Sequence, residues 1–236
     1  MKNSKVIFLV LITSLNFELF AQNVREIEFS VYGQYPIRNV EYNPVDATGI
    51  ASGVDPSEPV QIETHMQSRM GSHAFTGIGR IEFFDAYTKQ TVGVVSFSSI
   101  SNKWLFVFVT NPLHKKDPEK QLKYLIYPFD DSEENLPPNS LVFINISGKE
   151  LDGLLENKRV KLGPGESGSY RVQESLPVNL WTRSFDGRDL LPALIKTYKF
   201  KAGHRYLIIF FPPVLRGSVD LDTRLIEESL SQDESP

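Results

Sequence analysis

The chain has 236 residues, no cysteine and a formal net charge of −4. No disulfide can brace it, so the fold must rest on its core, and an apolar content of 41% is enough to build one. The mild acidic balance lacks the basic patch that a phosphate backbone demands, which excludes nucleic acid as a partner.

Residues 1–21 read MKNSKVIFLVLITSLNFELFA. Lys2 and Lys5 form a basic start, an apolar run follows, and Ala21 offers a cleavage point. This is the pattern of a cleaved secretory signal. It directs the mature chain to the periplasm or the medium. With no cysteine after the signal, a lipid anchor is not expected. No later stretch is long and apolar enough for a bilayer, so no transmembrane segment is expected after cleavage.

Residues 25–32 (REIEFSVY) alternate, with Ile27, Phe29 and Val31 on one side and Glu26, Glu28 and Ser30 on the other. That is a half-buried strand. Residues 33–59 are rich in Gly, Pro, Asp and Asn and read as a long connection, with one short edge strand at 39–42. Residues 60–66 alternate again, with Val60, Ile62, Thr64 and Met66 inward and Gln61, Glu63 and His65 outward. Residues 69–79 contain three glycines and read as a loop or bulged lead-in. Strands then follow at 80–86, 91–97, 103–109 and 122–127. In the third of these, Trp104, Phe106 and Phe108 share one face and Leu105, Val107 and Val109 the other. A strand apolar on both faces is covered on both sides. It belongs at the centre or where two domains touch.

Residues 129–138 (FDDSEENLPP) are acidic and end in two prolines, the best candidate boundary in the chain. Beyond them, apolar pieces at 141–146, 151–155, 160–162, 170–172, 178–183, 194–201 and 205–211 alternate with turn residues such as Ser147-Gly148, Glu156-Asn157 and Gly163-Pro164-Gly165. Strands and turns at this spacing indicate an antiparallel sandwich or barrel. The predicted fold is therefore all-β, two small antiparallel β-sandwich-like modules in tandem. Its parts are a signal at 1–21, an N-terminal β module at 22–130, an acidic, Pro-containing linker at 131–138, a C-terminal module at 139–215 and an acidic, flexible tail at 216–236.

Sliding the chain by 60 residues aligns 80–95 with 140–155, and Phe83, Lys89 and Gly93 then fall on Phe143, Lys149 and Gly153. A second echo pairs Tyr124-Leu125-Ile126 with Tyr206-Leu207-Ile208. Both raise an internal duplication. The pattern LPPNSLVFINISGKEL followed by LGPGES resembles secreted proteins of unassigned function from Gram-negative bacteria, over residues 122–172. The resemblance implies a sandwich domain behind a signal peptide, and no catalytic residues.

On 178–183, Asn179, Trp181 and Arg183 share one face, and an aromatic between an amide and a guanidinium can stack on a sugar ring and bond its hydroxyls. Glu63 and His65 project from one strand face and His73 could return across a loop, a donor set that suits zinc. The run Asp130-Asp131-Ser132-Glu133-Glu134 offers hard oxygens for calcium but lacks the ligand spacing of a calcium loop, and a solvated linker is expected. Ser167 lies between glycines without the spacing of a nucleophile turn. The sequon Asn145-Ile146-Ser147 falls on a strand and is read as fortuitous. No cofactor is expected. The sequence points to an exported, non-catalytic binding or interaction protein of the bacterial envelope, with an envelope protein or a glycan as partner. A carbohydrate-binding module on the Trp181 face is the alternative, and a hydrolase with dispersed loop residues comes third.

Overall fold

The computed structural model describes residues 24–229 apart from 65–68, 99–100, 138, 172–173, 185 and 216. The signal and His65 lie outside these residues. The first module holds β1 (Arg25–Gly33), β2 (Val40–Tyr42), a short helix α1 (Ala47–Ala51), β3 (Val60–Ile62), β4 (Met70–Gly77), β5 (Arg80–Asp85), β6 (Thr91–Ser96), β7 (Lys103–Thr110) and β8 (Tyr124–Asp130). The second holds β9 (Ser140–Asn145), β10 (Leu151–Leu155), β11 (Lys158–Leu162), β12 (Ser167–Arg171), β13 (Ser175–Arg183), β14 (Leu190–Lys199), β15 (His204–Phe211) and β16 (Asp222–Ser229).

Each module is two four-stranded sheets. The first has an outer sheet β3-β2-β5-β6 and an inner sheet β4-β1-β7-β8, and the second has β11-β10-β13-β14 and β12-β9-β15-β16. Every strand of the first module thus has a counterpart eight places later. All pairs are antiparallel except β1 with β7 and β9 with β15, which are the same pair in the two modules. A parallel pair needs a long excursion between its strands, and five strands separate each of these.

The matched topology does not follow the sequence echo. The echo lays β5 and β6 on β9 and β10, whereas their topological counterparts are β13 and β14. The repeat is real as an architecture. The 60-residue alignment lays the β5–β6 hairpin on two strands of different sheets and reflects only that apolar strands look alike.

Three apolar layers separate the four sheets. Within the first module, Phe29 and Val31 of β1 meet Tyr42, Phe83, Phe106 and Phe108. Within the second, Phe143, Leu151, Leu180, Tyr198, Tyr206, Ile208 and Phe210 meet. Between the modules, the other faces of the inner sheets pack together through Leu105, Val107 and Val109 of β7 and Leu207, Ile209 and Phe211 of β15. Residues 104–109 are all buried, as their double-sided apolar pattern requires. Each such large side chain contributes about 1.5–3 kcal/mol on burial, so the shared layer is a core and not a loose contact.

A charged cluster ties the modules at one side of this layer. Arg69, just before β4, contacts Asp131 and Glu228, and Arg205 Nε reaches Glu228 at 2.6 Å. Burial pushes the Asp131 carboxyl above the usual carboxylate range, outweighing the lowering by Arg69 and Arg205. Asp131 is therefore no solvated linker residue. Asp130 is different. Burial pushes its carboxyl up, but hydrogen bonds from Ser132, Ser101 and Asn135 outweigh it and hold it low. Asp130 and Asp131 of the run offered for calcium are spent on these internal contacts, while Glu133 and Glu134 are exposed. The linker also packs: Asn135 and Leu136 turn back onto Ser132 O, and Leu136 is buried in the shared layer.

Three further segments differ from expectation. Of the two readings of residues 69–79, the bulged one is the nearer, and the segment goes further and forms a strand: β4 pairs with β1 from Arg25–Gly77 to Val31–Met70 around a bulge. Gly71 and Gly77 sit within that bulged edge strand, and Gly79 lies in the turn that follows it. The short strand β2 is not an edge, since it lies between β3 and β5. The tail is ordered over β16, which pairs with β15 from Phe211–Asp222 to His204–Ser229. Only Ile226 of β16 is buried, so the strand reads as an acidic tail until its partner is known.

Candidate functional site

The second module's outer sheet turns one face to its core and one to solvent. On β13 the alternation puts Leu176, Val178, Leu180 and Thr182 inside. Asn179, Trp181 and Arg183 consequently lie on the outward face, together as the sequence places them. Trp181 is half-buried there.

The register builds two rungs across this face. One runs Arg159–Leu154–Asn179–Ile195 and the next Lys161–Asp152–Trp181–Pro192. Arg183 stands opposite Leu190 one step further along. Outward positions on a half-buried sheet are ordinarily polar. Here Leu154 is 38% exposed, Leu190 60% and Ile195 66%, around the indole. Within the two rungs, charge is confined to β10 and β11. Arg159 Nη2 bonds Asp152 at 2.8 Å, and Lys161 lies 3.4 Å from Glu150. The Arg159 hydrogen bond holds the Asp152 carboxyl below its usual range. Arg183 Nη1 donates to Gly187 O at 3.2 Å, which steers the guanidinium toward the 184–189 turn. Among the described residues, no hydrogen bond occupies the Asn179 amide.

Leu154, Leu190 and Ile195 were not singled out from the sequence. Leu154 breaks phase beside Leu155. On β14 a register shift opposite Leu180 and Trp181 scrambles the alternation of LLPALIKTYK. An apolar residue in the polar phase of a strand was the available signal.

The metal set is not assembled within the described residues. Glu63 follows β3 in an outer sheet, while His73 is on β4 in the inner sheet. The His73 ring stacks on Phe29 at 5.2 Å and meets Tyr42 edge-on at 5.8 Å. A Cβ added at Gly71 would fall 2.5 Å from His73 Nε2, so backbone covers that nitrogen. Burial lowers the His73 pKa and keeps the ring neutral. Among the described residues no three His, Cys, Asp or Glu side chains group to hold an ion. The other tryptophan is core: Trp104 is buried and its Nε1 donates to Ser101 O at 3.0 Å. Ser167 opens β12 after the turn at Gly165. The sequon asparagine, Asn145, is fully buried with its amide bonded to backbone.

No helix among the described residues is long and apolar enough to cross a membrane. Compared with protein-family models and with curated proteins, the chain matches neither.

Proposed function

We propose that this chain is an exported, non-catalytic interaction protein of a bacterial envelope that engages a protein partner through the outward face of the second module's outer sheet. The observation that carries the reading is Trp181, outward on β13 and ringed by exposed Leu154, Ile195 and Leu190. An apolar centre with a tryptophan and an arginine, bordered by ion pairs, is the anatomy of a protein interface. Export rests on the signal pattern of residues 1–21. The placement in the envelope, periplasmic or secreted, rests on that pattern and on the resemblance of residues 122–172.

A second reading, glycan binding, draws on the shared face of Asn179, Trp181 and Arg183. Aliphatic neighbours favour protein, since they give a sugar no stacking plane. The test is a photo-crosslinking residue at position 195 in the cells that make the protein. A crosslinked protein that disappears in Trp181→Ala supports the reading. Glycan-array binding lost in Trp181→Ala, with no protein crosslink, moves the site to carbohydrate. If neither binding is seen, the proposal fails.

A further inference from the structure

Strand β12 is the outer strand of the second module's inner sheet, beside β9. Among the described residues no strand pairs with its other edge. Its first three residues, Ser167, Gly168 and Ser169, are small and leave that edge open to a second backbone.

Two cavities flank these same three residues. One, about 230 Å³, lies toward the first module, with Leu105, Phe129, Leu136, Val142, Ile144 and Leu207 in its lining. The other, about 360 Å³, lies toward the second module's own core, with Phe143, Leu155, Leu162, Leu180 and Phe210 in its lining. The register explains the split. Ser167 and Ser169 stand opposite Ile144 and Val142, which face the shared layer. Gly168 and Tyr170 stand opposite Phe143 and Leu141, which face the module core. A strand laid on this edge sends successive side chains to opposite faces, and so into the two cavities in turn.

The first module supplies an internal comparison. Its equivalent edge, β4, is seamed by the long β2–β3 connection: Val45 bridges Thr76, Thr76 N donates to Pro44 O at 2.7 Å, and Asp46 N donates to Thr76 O at 3.0 Å. The second module has only the turn Glu156-Asn157 between β10 and β11, and its edge stays open.

We infer that β12 is an acceptor edge for an extended peptide segment of a partner protein, apolar at two or three successive positions and next to a basic residue. Main-chain hydrogen bonds would supply affinity and the two cavities specificity. The basic residue follows from charge at the rim. Arg159 and Lys161 are taken up by Asp152 and Glu150. Asp130 at the first cavity and Glu166 at the second, hydrogen-bonded but among the described residues paired with no cation, place a carboxylate at each cavity, while Arg171 stands at the far end of the strand. This site is separate from the Trp181 face and stands or falls without it.

The test selects a displayed random peptide library on the full chain. Enriched peptides should carry successive apolar residues beside Lys or Arg, and hydrogen exchange of Ser167–Arg171 should slow when they bind. In Gly168→Leu the new side chain enters the larger cavity, where a Cβ meets only Leu162 Cδ1, at 3.8 Å. It should weaken the selected peptides at least about tenfold with the melting temperature unchanged. Ser169→Lys, at an exposed position over the other cavity, should do the same and serves if the first variant misfolds. No enrichment, or equal binding by both variants, overturns the proposal. Protection of β12 amides in the free chain that vanishes on dilution would put a second copy at this edge and also overturn it.

Discussion

Gly33 on β1 and Asn145 on β9 occupy the same rung of their modules, Gly33 opposite Phe108 and Asn145 opposite Phe210. They meet one need in opposite ways. In the first module Thr64, just after β3, reaches back: its hydroxyl accepts from Ile37 N at 2.9 Å and contacts Tyr35 O at 3.3 Å. A Cβ at Gly33 would sit 2.5 Å from that hydroxyl, so only glycine fits. In the second module Asn145 reaches forward, to Lys149 O at 2.8 Å and to Leu162 and Gly163 O at 3.0 Å, past the end of β11. Both pin the corner after the first strand to the end of the third.

Asn145→Ala should therefore cost about 3 kcal/mol, because it strands several buried backbone groups at once. Gly33→Asn should not reproduce the second module's corner and should destabilise by about 1–3 kcal/mol through overpacking. Urea unfolding of the two variants checks both values.

The Arg69 cluster joins the modules. Removing one partner of a buried pair leaves the other uncompensated, so Arg69→Leu should cost about 3 kcal/mol or more. Adding Asp131→Leu should restore much of that loss. A double-mutant cycle in which the two changes simply add would show that the contact carries no coupling.

His73 makes the fold sensitive to pH. Burial lowers its folded pKa, so the unfolded chain binds the proton more tightly. The linked stability is fully present above the unfolded value of about 6.5 and is lost as pH falls through the lower folded value. His73→Phe keeps an aromatic ring against Phe29 and removes the titration. The variant should gain on the parent as pH drops from about 7 to 5, as read by thermal unfolding at each pH.

The two tryptophans should separate cleanly in solution. Trp104 is buried and Trp181 lies on an outward face, so acrylamide should quench the parent strongly and Trp181→Phe weakly. Ile195→Lys, at a 66% exposed site, should change stability by less than about 0.5 kcal/mol and still abolish partner crosslinking from a photo-reactive residue placed at position 190.

The strands with one apolar face were legible because β1 and β13 alternate cleanly, and β7 because six successive residues are apolar on both faces. What was hidden lies where side chains carry little signal. β16 buries one residue, β4 is glycine-rich, and α1 is a five-residue turn of helix within an insertion. The repeat was hidden because matched positions hold unlike residues, Trp104 against Tyr206 and Gly33 against Asn145. Asn179, Trp181 and Arg183 were legible as a shared face, while Leu154 and Ile195 needed the cross-strand register to join them.

The central claim is that β7 and β15 bind the modules into one body. Scanning calorimetry of the full chain tests it most directly. One shared core should give a single transition whose calorimetric and van't Hoff enthalpies agree, and Leu105→Ala should move the whole transition down. Two resolved transitions, with only one shifted by Leu105→Ala, would contradict the account.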